Sequence, residues 1–315
     1  MTQTYGAPVA AALLADALLG EPPERAHPVV LMGRIITVFE RETLGLKNTR
    51  IRKLAGLLLA ATLPALCFAF TSLILSLAPS RLRRVLEILL LSTTLSMRGL
   101  ARAALAVERE IEGGDLAAAR ARAGEIVGRD TEGLSPSELF RAAVESVAEN
   151  ASDGVVAPML YGRMWGAPGA LAYKAVNTLD SMVGHPHPPY EDLGWASARL
   201  DDLANLLPAR LTALSAAAVA GPGRRAATLT TAYCYGPLTR SPNAGWAEAA
   251  FAGALGLKLG GTNLYGGVLR PGPVLGDGRP PEAGDVRQTV RLMRRACLLL
   301  AGLALVTSRG WRSRG

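Results

Sequence analysis

The chain has 315 residues, of which 50% are hydrophobic, and its mean hydropathy is +0.23. Charged residues make up 19%, below the roughly 25% of typical soluble proteins, so the composition disfavours an ordinary water-soluble enzyme and favours a membrane-embedded protein. The net charge is +8, and the basic residues lie mostly at the edges of apolar runs. This placement suits binding to anionic lipid headgroups. Aromatic residues do not alternate with the basic ones, which argues against a protein that binds single-stranded nucleic acid.

Two apolar runs lie in the first 80 residues, and the second of them gives the transmembrane prediction. Residues 2–19 contain Asp16 and lack the basic start and cleavage pattern of a secretory signal, so we expect a retained helix, which fits a tilted span, a re-entrant segment or a core helix. Residues 54–80 hold no charge over 27 positions, whereas about 20 apolar residues suffice to cross a bilayer. We therefore predict a transmembrane helix over 54–80, in which Pro64 is tolerated inside a bundle; a buried core helix is the alternative.

Other apolar stretches are shorter or interrupted by a charge. They are 85–97, 206–221, 245–257 and 296–308. Each fits a tilted span, a re-entrant segment or a core helix. The predicted fold class is all-α: a polytopic membrane helix bundle of about four or five spans with a water-facing helical region. Its orientation stays open, because four basic residues closely precede 54–80 and three follow it.

The water-facing region is predicted after residue 98. Helical periodicity predicts one helix over 99–112, which Gly113-Gly114 ends, and Asp115 can then cap a second helix over 116–127. Ser135 and Glu138 form a capping box with a proline between them, so a third helix is predicted to continue to about Asn150. No strand, repeat or second domain is predicted, and the whole chain, 1–315, is interpreted as one domain.

The first polar cluster lies on the helix that follows Ser135. Glu145 and Glu149 are four residues apart and share a face, with Arg141 one turn earlier. One interpretation is a solvated salt bridge between Arg141 and Glu145. The short polar side chains that follow favour instead a site for a metal or a phosphate oxygen; they are Asn150, Ser152 and Asp153.

A second cluster combines a cation with hydroxyls and an amide. Lys174, Asn177, Thr178 and Ser181 lie at i, i+3, i+4 and i+7, and Asp180 lies one position off that stripe. This combination suits a phosphate group. The alternative is a lone lysine that reaches from a helix end towards water, which does not explain the adjoining polar residues.

A third cluster is acidic. Asp201, Asp202 and Asn205 lie at helical spacing and carry the hard oxygen ligands that Mg²⁺ accepts, with water and substrate phosphates completing its shell. The alternative is a set of plain salt bridges with Arg199 and Arg210.

Other chemistries find little support. His185 and His187 have no third histidine near them in sequence, which disfavours a zinc site. The three cysteines have neither metal nor redox spacing, and no P-loop is present. The glycine-rich run 260–267 is only a weak indication of a ligand site.

Taken in chain order, these segments resemble the cobinamide-phosphate synthase family of cobalamin biosynthesis almost from end to end. The motifs that carry the resemblance are Asp16-Ala17-Leu18-Leu19-Gly20-Glu21-Pro22, His27-Pro28-Val29, Met32-Gly33-Arg34, Gly128-Arg129-Asp130-Thr131, Val144-Glu145-Ser146-Val147-Ala148-Glu149-Asn150, Ser152-Asp153-Gly154, Tyr173-Lys174-Ala175-Val176-Asn177-Thr178-Leu179-Asp180-Ser181-Met182, Ala198-Arg199-Leu200-Asp201-Asp202 with Asn205, Pro208-Ala209-Arg210, Ser241-Pro242-Asn243-Ala244-Gly245-Trp246 and Ala252-Gly253-Ala254-Leu255-Gly256. One mild departure is Glu21, where the family usually has aspartate.

The resemblance implies an integral, multi-pass enzyme of the cell (inner) membrane. It would join a side-chain carboxyl of adenosylcobyric acid to the amine of (R)-1-amino-2-propanol O-phosphate, consuming ATP and giving adenosylcobinamide phosphate. Mg²⁺ and ATP as a co-substrate are expected, and a tightly bound prosthetic group is not. The implied partners are the corrinoid, the aminoalcohol phosphate and the lipid bilayer, without nucleic acid. A homo-oligomer, or association with other cobalamin-assembly enzymes, is left open.

The residue roles are our own prediction. They follow from the chemistry, because phosphoryl transfer needs Mg²⁺ and fixed cations more than a protein nucleophile. The predicted catalytic residues are Glu145, Lys174 and Asp180. The predicted substrate and phosphate contacts are Arg129, Asn150, Ser152, Asn177, Thr178, Ser181, Arg199, Ser241 and Asn243. The predicted metal ligands are Asp201, Asp202 and Asn205, with Glu149 and Asp153 as further candidates.

Three other functions fit parts of the pattern. Intramembrane polar residues can mark the path of a transporter, although these clusters look partly water-facing. Asp201-Asp202 is similar to the Mg²⁺-diphosphate sites of transferases that act on lipid diphosphates, but a second aspartate-rich motif is missing. A non-enzymatic scaffold would not need so many polar groups.

Overall fold

The structure, a computed structural model, describes residues 5–23 and 27–312, with the backbone alone over 308–312. Residues 2–4 of the first predicted helix therefore lie outside the described residues. The helices are α1 Gly6–Leu19, α2 Pro28–Leu44, α3 Thr49–Leu77, α4 Ser80–Ser92, α5 Met97–Glu112, α6 Leu116–Gly124, α7 Pro136–Ala151, α8 Ala157–Val183, α9 Trp195–Ala204, α10 Leu206–Val219, α11 Arg225–Tyr235, α12 Ala244–Leu255 and α13 Asp285–Arg312. The strands are β1 Leu259–Gly260, β2 Asn263–Tyr265, β3 Val268–Arg270 and β4 Val274–Leu275. The predicted all-α class is confirmed.

The chain forms two compact units, each built from discontinuous segments. The first unit comprises Met1–Ser96, Ala157–Asn205 and Ala301–Gly315, and the second comprises Met97–Val156 and Leu206–Leu300. Because neither unit is a continuous stretch of sequence, no linker marks its boundary. The interpretation of the chain as one domain stays a prediction.

The core of the first unit is organised along α8. Apolar residues of α8 recur every four positions and form a stripe that packs against α2 and α3. The buried residues of this core are Met32, Ile36, Leu59, Leu63, Leu171, Ala175, Leu179, Val183 and Leu193. α3 approaches the 193 region closely at Gly56, where an added Cβ would lie 2.0 Å from the carbonyl oxygen of Leu193.

The predicted transmembrane segment 54–80 lies mostly within α3. This helix is 29 residues long, and the most apolar part of it has a mean hydropathy of 2.2 with only 22% of its residues buried. Leu66, Phe70 and Leu77 are among the large apolar side chains that it exposes. A core helix of a soluble protein would bury such a surface, so α3 has the properties of a lipid-facing helix.

A second run, Ser80–Glu112, is also long and apolar enough to cross a membrane, with a mean hydropathy of 1.2. It is interrupted, because α4 ends at Ser92 and α5 begins at Met97. Within the described residues, these two runs are the candidate spans, and α1 and α10 are shorter apolar helices. The count of about four or five spans stays a prediction.

The second unit contains α5, α6, α7, α10, α11, α12, all four strands and the first part of α13. The predicted capping box is present at the start of α7, where the Ser135 hydroxyl accepts a hydrogen bond from the Glu138 N–H and the Glu138 carboxylate accepts one from the Ser135 N–H. α12 lies in the core of this unit, with Ala247 and Phe251 fully buried. Among the three interpretations of 245–257, the structure therefore favours a core helix.

The prediction that the chain has no strands is wrong in detail. β1 pairs with β4, and β2 pairs with β3, in two small antiparallel sheets. Strands of two or three residues are too short to show an alternating pattern. The available signal was Gly266-Gly267, whose positive φ angles of 57° and 76° form the two-residue turn that glycine pairs favour between paired strands.

Candidate active site

The second unit encloses a polar cavity of about 280 Å³. α7 and α12 form two of its walls, the segment before α7 forms a third, and the glycine-rich stretch 260–275 closes it. Its charged lining residues are Arg129, Glu145, Glu149 and Glu248. Glycine backbone forms much of the remaining wall, at Gly128, Gly260, Gly261 and Gly272. Main-chain polar groups there are not shielded by side chains.

Glu145 is the most heavily bonded side chain of this cavity. Its carboxylate accepts hydrogen bonds from the Arg129 guanidinium, from Arg141 at 3.2 Å and from the N–H of Gly260 at 2.6 Å. The side chains of Glu145, Arg129 and Arg141 are 6%, 9% and 12% exposed. The predicted pair Arg141–Glu145 therefore exists, but as part of a nearly buried network that ties α7 to the glycine-rich stretch.

The β2–β3 hairpin is tied to the same network. Asn263 accepts hydrogen bonds from Arg129 at 2.7 Å and from Arg141 at 2.9 Å. The carboxylate of Asp130 accepts hydrogen bonds from the N–H groups of Gly267 and Gly266 at 2.8 Å and 3.0 Å, and these lower the pKa of Asp130. Arg129 and Asp130 thus hold the hairpin in place from adjacent positions.

Glu248 is the cavity residue that the sequence analysis did not select. It lies on α12 and lines the cavity together with Glu145 and Glu149. Burial raises the pKa of Glu248, the negative charges of Glu145 and Glu149 raise it further, and Arg129 and Arg141 lower it less. The available signal was a single acid in the apolar stretch 245–257, because such a charge is costly without a function.

The remaining predicted residues of this part of the chain lie around the end of α7 and before α12. The Asn150 amide donates to the Ser146 carbonyl at 3.0 Å, and Ser152 and Asp153 lie in a π-helical turn, Ser152–Val156, of the kind often found at functional sites. Ser241 accepts hydrogen bonds from the N–H groups of Asn243 and Ala244 at the start of α12.

Asn243 is held by Arg210, a residue of the Pro208-Ala209-Arg210 motif. The Arg210 guanidinium donates to the Asn243 side chain at 2.7 Å and lies 4.6 Å from the ring centre of Trp246. Burial lowers the pKa of Arg210. Ser241, Asn243 and Arg210 thus form a polar group of their own within the second unit.

The first unit brings together four of the predicted residues in one hydrogen-bonded chain. The Lys174 ammonium donates to the Asn177 side chain at 3.2 Å, and the Asn177 amide bonds the Asp201 carboxylate. The Asn205 amide donates to Oδ2 of Asp201 at 2.9 Å. The Tyr173 hydroxyl, which the sequence analysis did not select, donates to Asn205 at 2.8 Å and closes the chain.

Asp201 is the centre of this network. Its Oδ1 atom is buried and accepts no hydrogen bond from the described residues. The pKa of Asp201 is raised to about 6. Burial is the main cause, and the hydrogen bonds from Asn205 and Asn177 offset part of its effect. A buried carboxylate oxygen without a donor is an expensive feature, and it marks the place where a cation would find a ligand.

The other predicted residues of the first unit are bonded locally. Asp202 forms a largely exposed salt bridge with Arg199 at 3.3 Å. The hydroxyls of Thr178 and Ser181 donate to the carbonyls of Lys174 and Asn177 one turn earlier. Asp180 lies on the same helix, α8. Within the part of the chain that the structure describes, no three His, Cys, Asp or Glu residues are grouped closely enough to hold a metal ion by themselves.

The comparisons with known proteins agree with the predicted family. A sequence model described as CobD/Cbib protein matches residues 9–293. The chain belongs to the CobD/Cbib family. It is 47% identical to "Cobalamin biosynthesis protein CobD" of Geobacter metallireducens, over 96% of this chain and 97% of that protein. It is 42% identical to the protein of that name in Klebsiella pneumoniae subsp. pneumoniae, over 90% and 91% of the two chains.

A third relative carries the other family name. "Cobalamin biosynthesis protein CbiB" of Salmonella typhi is 40% identical over 94% of this chain and 95% of its own length. No solved structure matches the chain. All three relatives are covered almost completely, so the match includes both units, and the resemblance predicted from the motifs is confirmed.

Proposed function

We propose that the chain is a membrane-bound adenosylcobinamide-phosphate synthase, an acid–amine ligase. It joins adenosylcobyric acid to (R)-1-amino-2-propanol O-phosphate with consumption of ATP. The observation that carries this proposal is the nearly complete match to relatives named cobalamin biosynthesis proteins. The lipid-facing α3 supports an enzyme of the membrane, and we extend this to a multi-pass protein of the inner membrane.

The chemistry explains why the chain needs fixed cations. A carboxylate does not react with an amine at neutral pH until one of its oxygens becomes a leaving group. ATP achieves this by phosphorylating the carboxylate, and the resulting acyl phosphate is attacked by the amine. Phosphoryl transfer is promoted chiefly by positioning and by positive charge, which we assign to Arg129, Lys174 and Arg199.

Lys174 is the best-supported phosphate-binding residue. Its ammonium is oriented by Asn177, and Asn177 is oriented in turn by Asp201. An ammonium is a compact positive charge, which suits a phosphate oxygen. Asn177, Thr178 and Ser181 extend this polar stripe along α8.

The residues predicted to hold Mg²⁺ fit that ion. Asp201 offers a buried oxygen without a hydrogen-bond donor, and Asp202 and Asn205 lie beside it on α9 and at its end. Mg²⁺ usually takes one or two protein carboxylates and completes its shell with water and substrate phosphates, so a third acid is not required. When bound there, the ion would neutralise phosphate charge. Glu149 and Asp153, in the second unit, remain candidate ligands by prediction.

The attacking ammonium must give up a proton. Glu145 and Asp180, two of the predicted catalytic residues, are our candidates for the proton acceptor. The three hydrogen bonds to Glu145 suit a residue that positions Arg129 and the glycine-rich stretch. We further propose that Asn150, Ser152, Ser241 and Asn243 contact the substrates from the second unit.

The test is direct detection of the amide product. Purified, detergent-solubilised protein is incubated with Mg-ATP, adenosylcobyric acid and aminopropanol phosphate, and the product is identified by mass spectrometry. Formation of the amide without any ion gradient supports a ligase and contradicts a transporter. Absence of product from the folded wild-type protein would contradict the proposal.

Single alanine variants at Lys174, Asp180, Asp201 and Asp202 test the residue assignment in the same assay. The matched control is Glu125→Ala, because Glu125 is an exposed acid paired only with Arg122 among the described residues. We expect the turnover of the Lys174 and Asp201 variants to fall at least tenfold and the control to match wild type. Unchanged turnover in all four site variants would remove the assignment.

A further inference from the structure

We propose that the cavity of the second unit binds the primary ammonium group of the amine substrate and that Glu248 contacts this ammonium and accepts its proton. The inference rests on the proposed amide-forming function and deepens it by assigning the amine site and its base. It makes Glu248 a catalytic residue.

The charges around the cavity set the kind of ligand. The cavity is lined by Arg129 and by three carboxyl groups, Glu145, Glu149 and Glu248. Arg141 is not part of the lining, but its positive charge also acts on Glu248. Both guanidiniums are bonded to Glu145. In the described part of the chain, no hydrogen bond or ion pair reaches the carboxyl group of Glu248. The cavity therefore has room for one more positive charge beside Glu248.

The electrostatics of Glu248 point in the same direction. Its pKa is raised by burial and by the two neighbouring glutamates, and the two arginines only partly compensate. A cation placed beside Glu248 would relieve this strain on its ionised form. An amine substrate brings such a cation, because a primary amine is an ammonium at neutral pH.

The size and the walls of the cavity favour a small organic cation. Its volume of about 280 Å³ lies at the lower end of the roughly 300–1,000 Å³ of small-molecule sites, which suits an aminoalcohol phosphate rather than a corrin ring. The main-chain groups of the glycine wall are largely bonded already: the Gly260 N–H donates to Glu145, the Gly260 carbonyl accepts from Arg141, and the Gly261 N–H donates to the Pro273 carbonyl. Contacts to a ligand are therefore left chiefly to the side chains that line the cavity.

The proposed step balances in protons and electrons. Ionised Glu248 takes one proton from R–NH₃⁺, and the free amine attacks the carbonyl carbon of the acyl phosphate. The C–N bond forms, the C–O bond to phosphate breaks, and phosphate leaves with the electron pair. Phosphate takes the second nitrogen proton, and Glu248 later returns the first to water. Glu145 cannot easily share this task, because its oxygens already accept bonds from Arg129, Arg141 and Gly260.

The experiment compares two nucleophiles in wild type, Glu248→Gln, Glu248→Asp and the exposed-site control Glu125→Gln. Aminopropanol phosphate must lose a proton before it attacks, whereas hydroxylamine attacks acyl phosphates as a neutral molecule. Both products, the amide and the hydroxamate, are quantified with Mg-ATP and adenosylcobyric acid. Loss of a general base typically costs about 10²–10⁴-fold.

We expect Glu248→Gln to lower kcat/KM for aminopropanol phosphate at least 10²-fold, to leave KM for ATP and adenosylcobyric acid unchanged, and to keep hydroxamate formation within about threefold of wild type. Glu248→Asp should recover part of the amide activity. Equal kcat/KM for the amine in Glu248→Gln and wild type overturns the inference, and so does an equal loss of both products. If wild type forms neither product, the proposed function itself fails.

A second measurement needs only wild-type protein, in case Glu248→Gln does not fold. Propane-1,2-diol phosphate has a hydroxyl in place of the ammonium. We expect the amine to bind at least tenfold more tightly in competition assays than this analogue, which keeps the phosphate but lacks the ammonium. Equal affinity would overturn the inference, because a site built around a carboxylate must distinguish a cation from a hydroxyl.

Discussion

Glu145, which we predicted to be catalytic, is bonded in the structure by two guanidiniums and a main-chain N–H. Its helical spacing from Arg141 gives only a local salt bridge, which is worth about 0.3–0.5 kcal/mol on an exposed helix. The structure adds Arg129 and the Gly260 N–H, both from outside α7. The side chains of Arg129, Arg141 and Glu145 are nearly buried, so the salt bridge is part of a buried network and not a surface pair.

Glu145→Gln should therefore destabilise the protein. The substitution removes the charge that both buried guanidiniums share, and breaking a buried ion pair in this way typically costs about 3–5 kcal/mol. Thermal unfolding in detergent should show a clearly lower midpoint than wild type. Glu125→Gln, which removes a salt bridge with side chains 51% and 57% exposed, should change the midpoint little. Similar midpoints for both variants would contradict a structural role of the network.

The site could be predicted where its residues are local in sequence. Lys174 and Asn177 are one turn apart on α8, and Asp201 and Asn205 are one turn apart, so helical spacing sufficed. The bond between Asn177 and Asp201, and the cavity that joins Glu248 to Glu145, depend on tertiary packing, which spacing does not encode. From the sequence, Glu248 could be recognised only as an unexplained charge in an apolar stretch.

At the scale of elements, α3 combines two different surfaces. One side exposes large apolar residues, and the other packs against α8 and the 193 region. Gly56 lies on the packed side, where a Cβ would come 2.0 Å from the Leu193 carbonyl oxygen. Only a residue without a side chain allows the backbone of α3 to approach so closely.

Gly56→Ala should destabilise the first unit, although alanine is normally the better helix former by about 1 kcal/mol. Backbone would have to shift to accommodate the added methyl group, since the atom that it meets belongs to the main chain. The matched control is Gly302→Ala on α13, where nothing lies within 4 Å of the added Cβ. We expect a lower unfolding midpoint for the first variant and an equal or higher one for the second. A stabilised Gly56→Ala protein would contradict this packing.

The exposed apolar side of α3 leads us to a separate prediction about membrane insertion. Leu66 is 64% exposed near the middle of the helix, and an arginine at the centre of a span costs about 2.5–3.5 kcal/mol to insert. Leu66→Arg should lower the amount of protein recovered in the membrane fraction. Leu269→Arg, at a side chain of β3 that is 69% exposed, serves as the control and should not. Equal recovery of both variants would argue against a lipid-facing α3.

The element boundaries followed from end signals more reliably than from periodicity. The capping box placed the start of α7 correctly at Pro136, and the uncharged stretch found α3. The second water-facing helix was predicted to end at 127, whereas α6 ends at Gly124. Periodicity also missed the four short strands, because two or three residues are too few to show an alternating pattern. The pairing of these strands is determined by contacts between residues distant in sequence.

At the scale of the whole molecule, the chain returns to each unit after a long excursion. It leaves the first unit after Ser96 and Asn205 and the second after Val156 and Leu300. The sequence indicated a change near the first of these points, where the water-facing region was predicted after residue 98, but it did not indicate that the chain returns to the first unit at Ala157. The family match covers segments of both units, which is expected if the conserved chemistry depends on the complete chain.

The charge distribution of the whole molecule predicts a preference for anionic lipid. Basic residues lie at both ends of α3, and some of those in its first turns are used in internal contacts, since Arg52 pairs with Asp192 and Lys53 lies 4.5 Å from the ring centre of Trp195. The basic residues after α3 are exposed; they are Arg81, Arg83 and Arg84. Each basic residue near an anionic surface contributes about 1 kcal/mol, so reconstituted protein should unfold at a higher temperature in vesicles that contain anionic lipid than in zwitterionic ones.

Salt and a matched variant separate this effect from a general influence of lipid. The advantage of anionic lipid should shrink as the Debye length falls from about 10 Å at 0.1 M to about 3 Å at 1 M salt. It should also shrink in the triple variant Arg81→Gln, Arg83→Gln, Arg84→Gln. The control carries the same charge change at exposed arginines of the second unit, Arg122→Gln, Arg225→Gln and Arg240→Gln. Because only charges near the headgroups are attracted by them, an equal loss in both triple variants would show that net charge, and not its position beside α3, determines the preference.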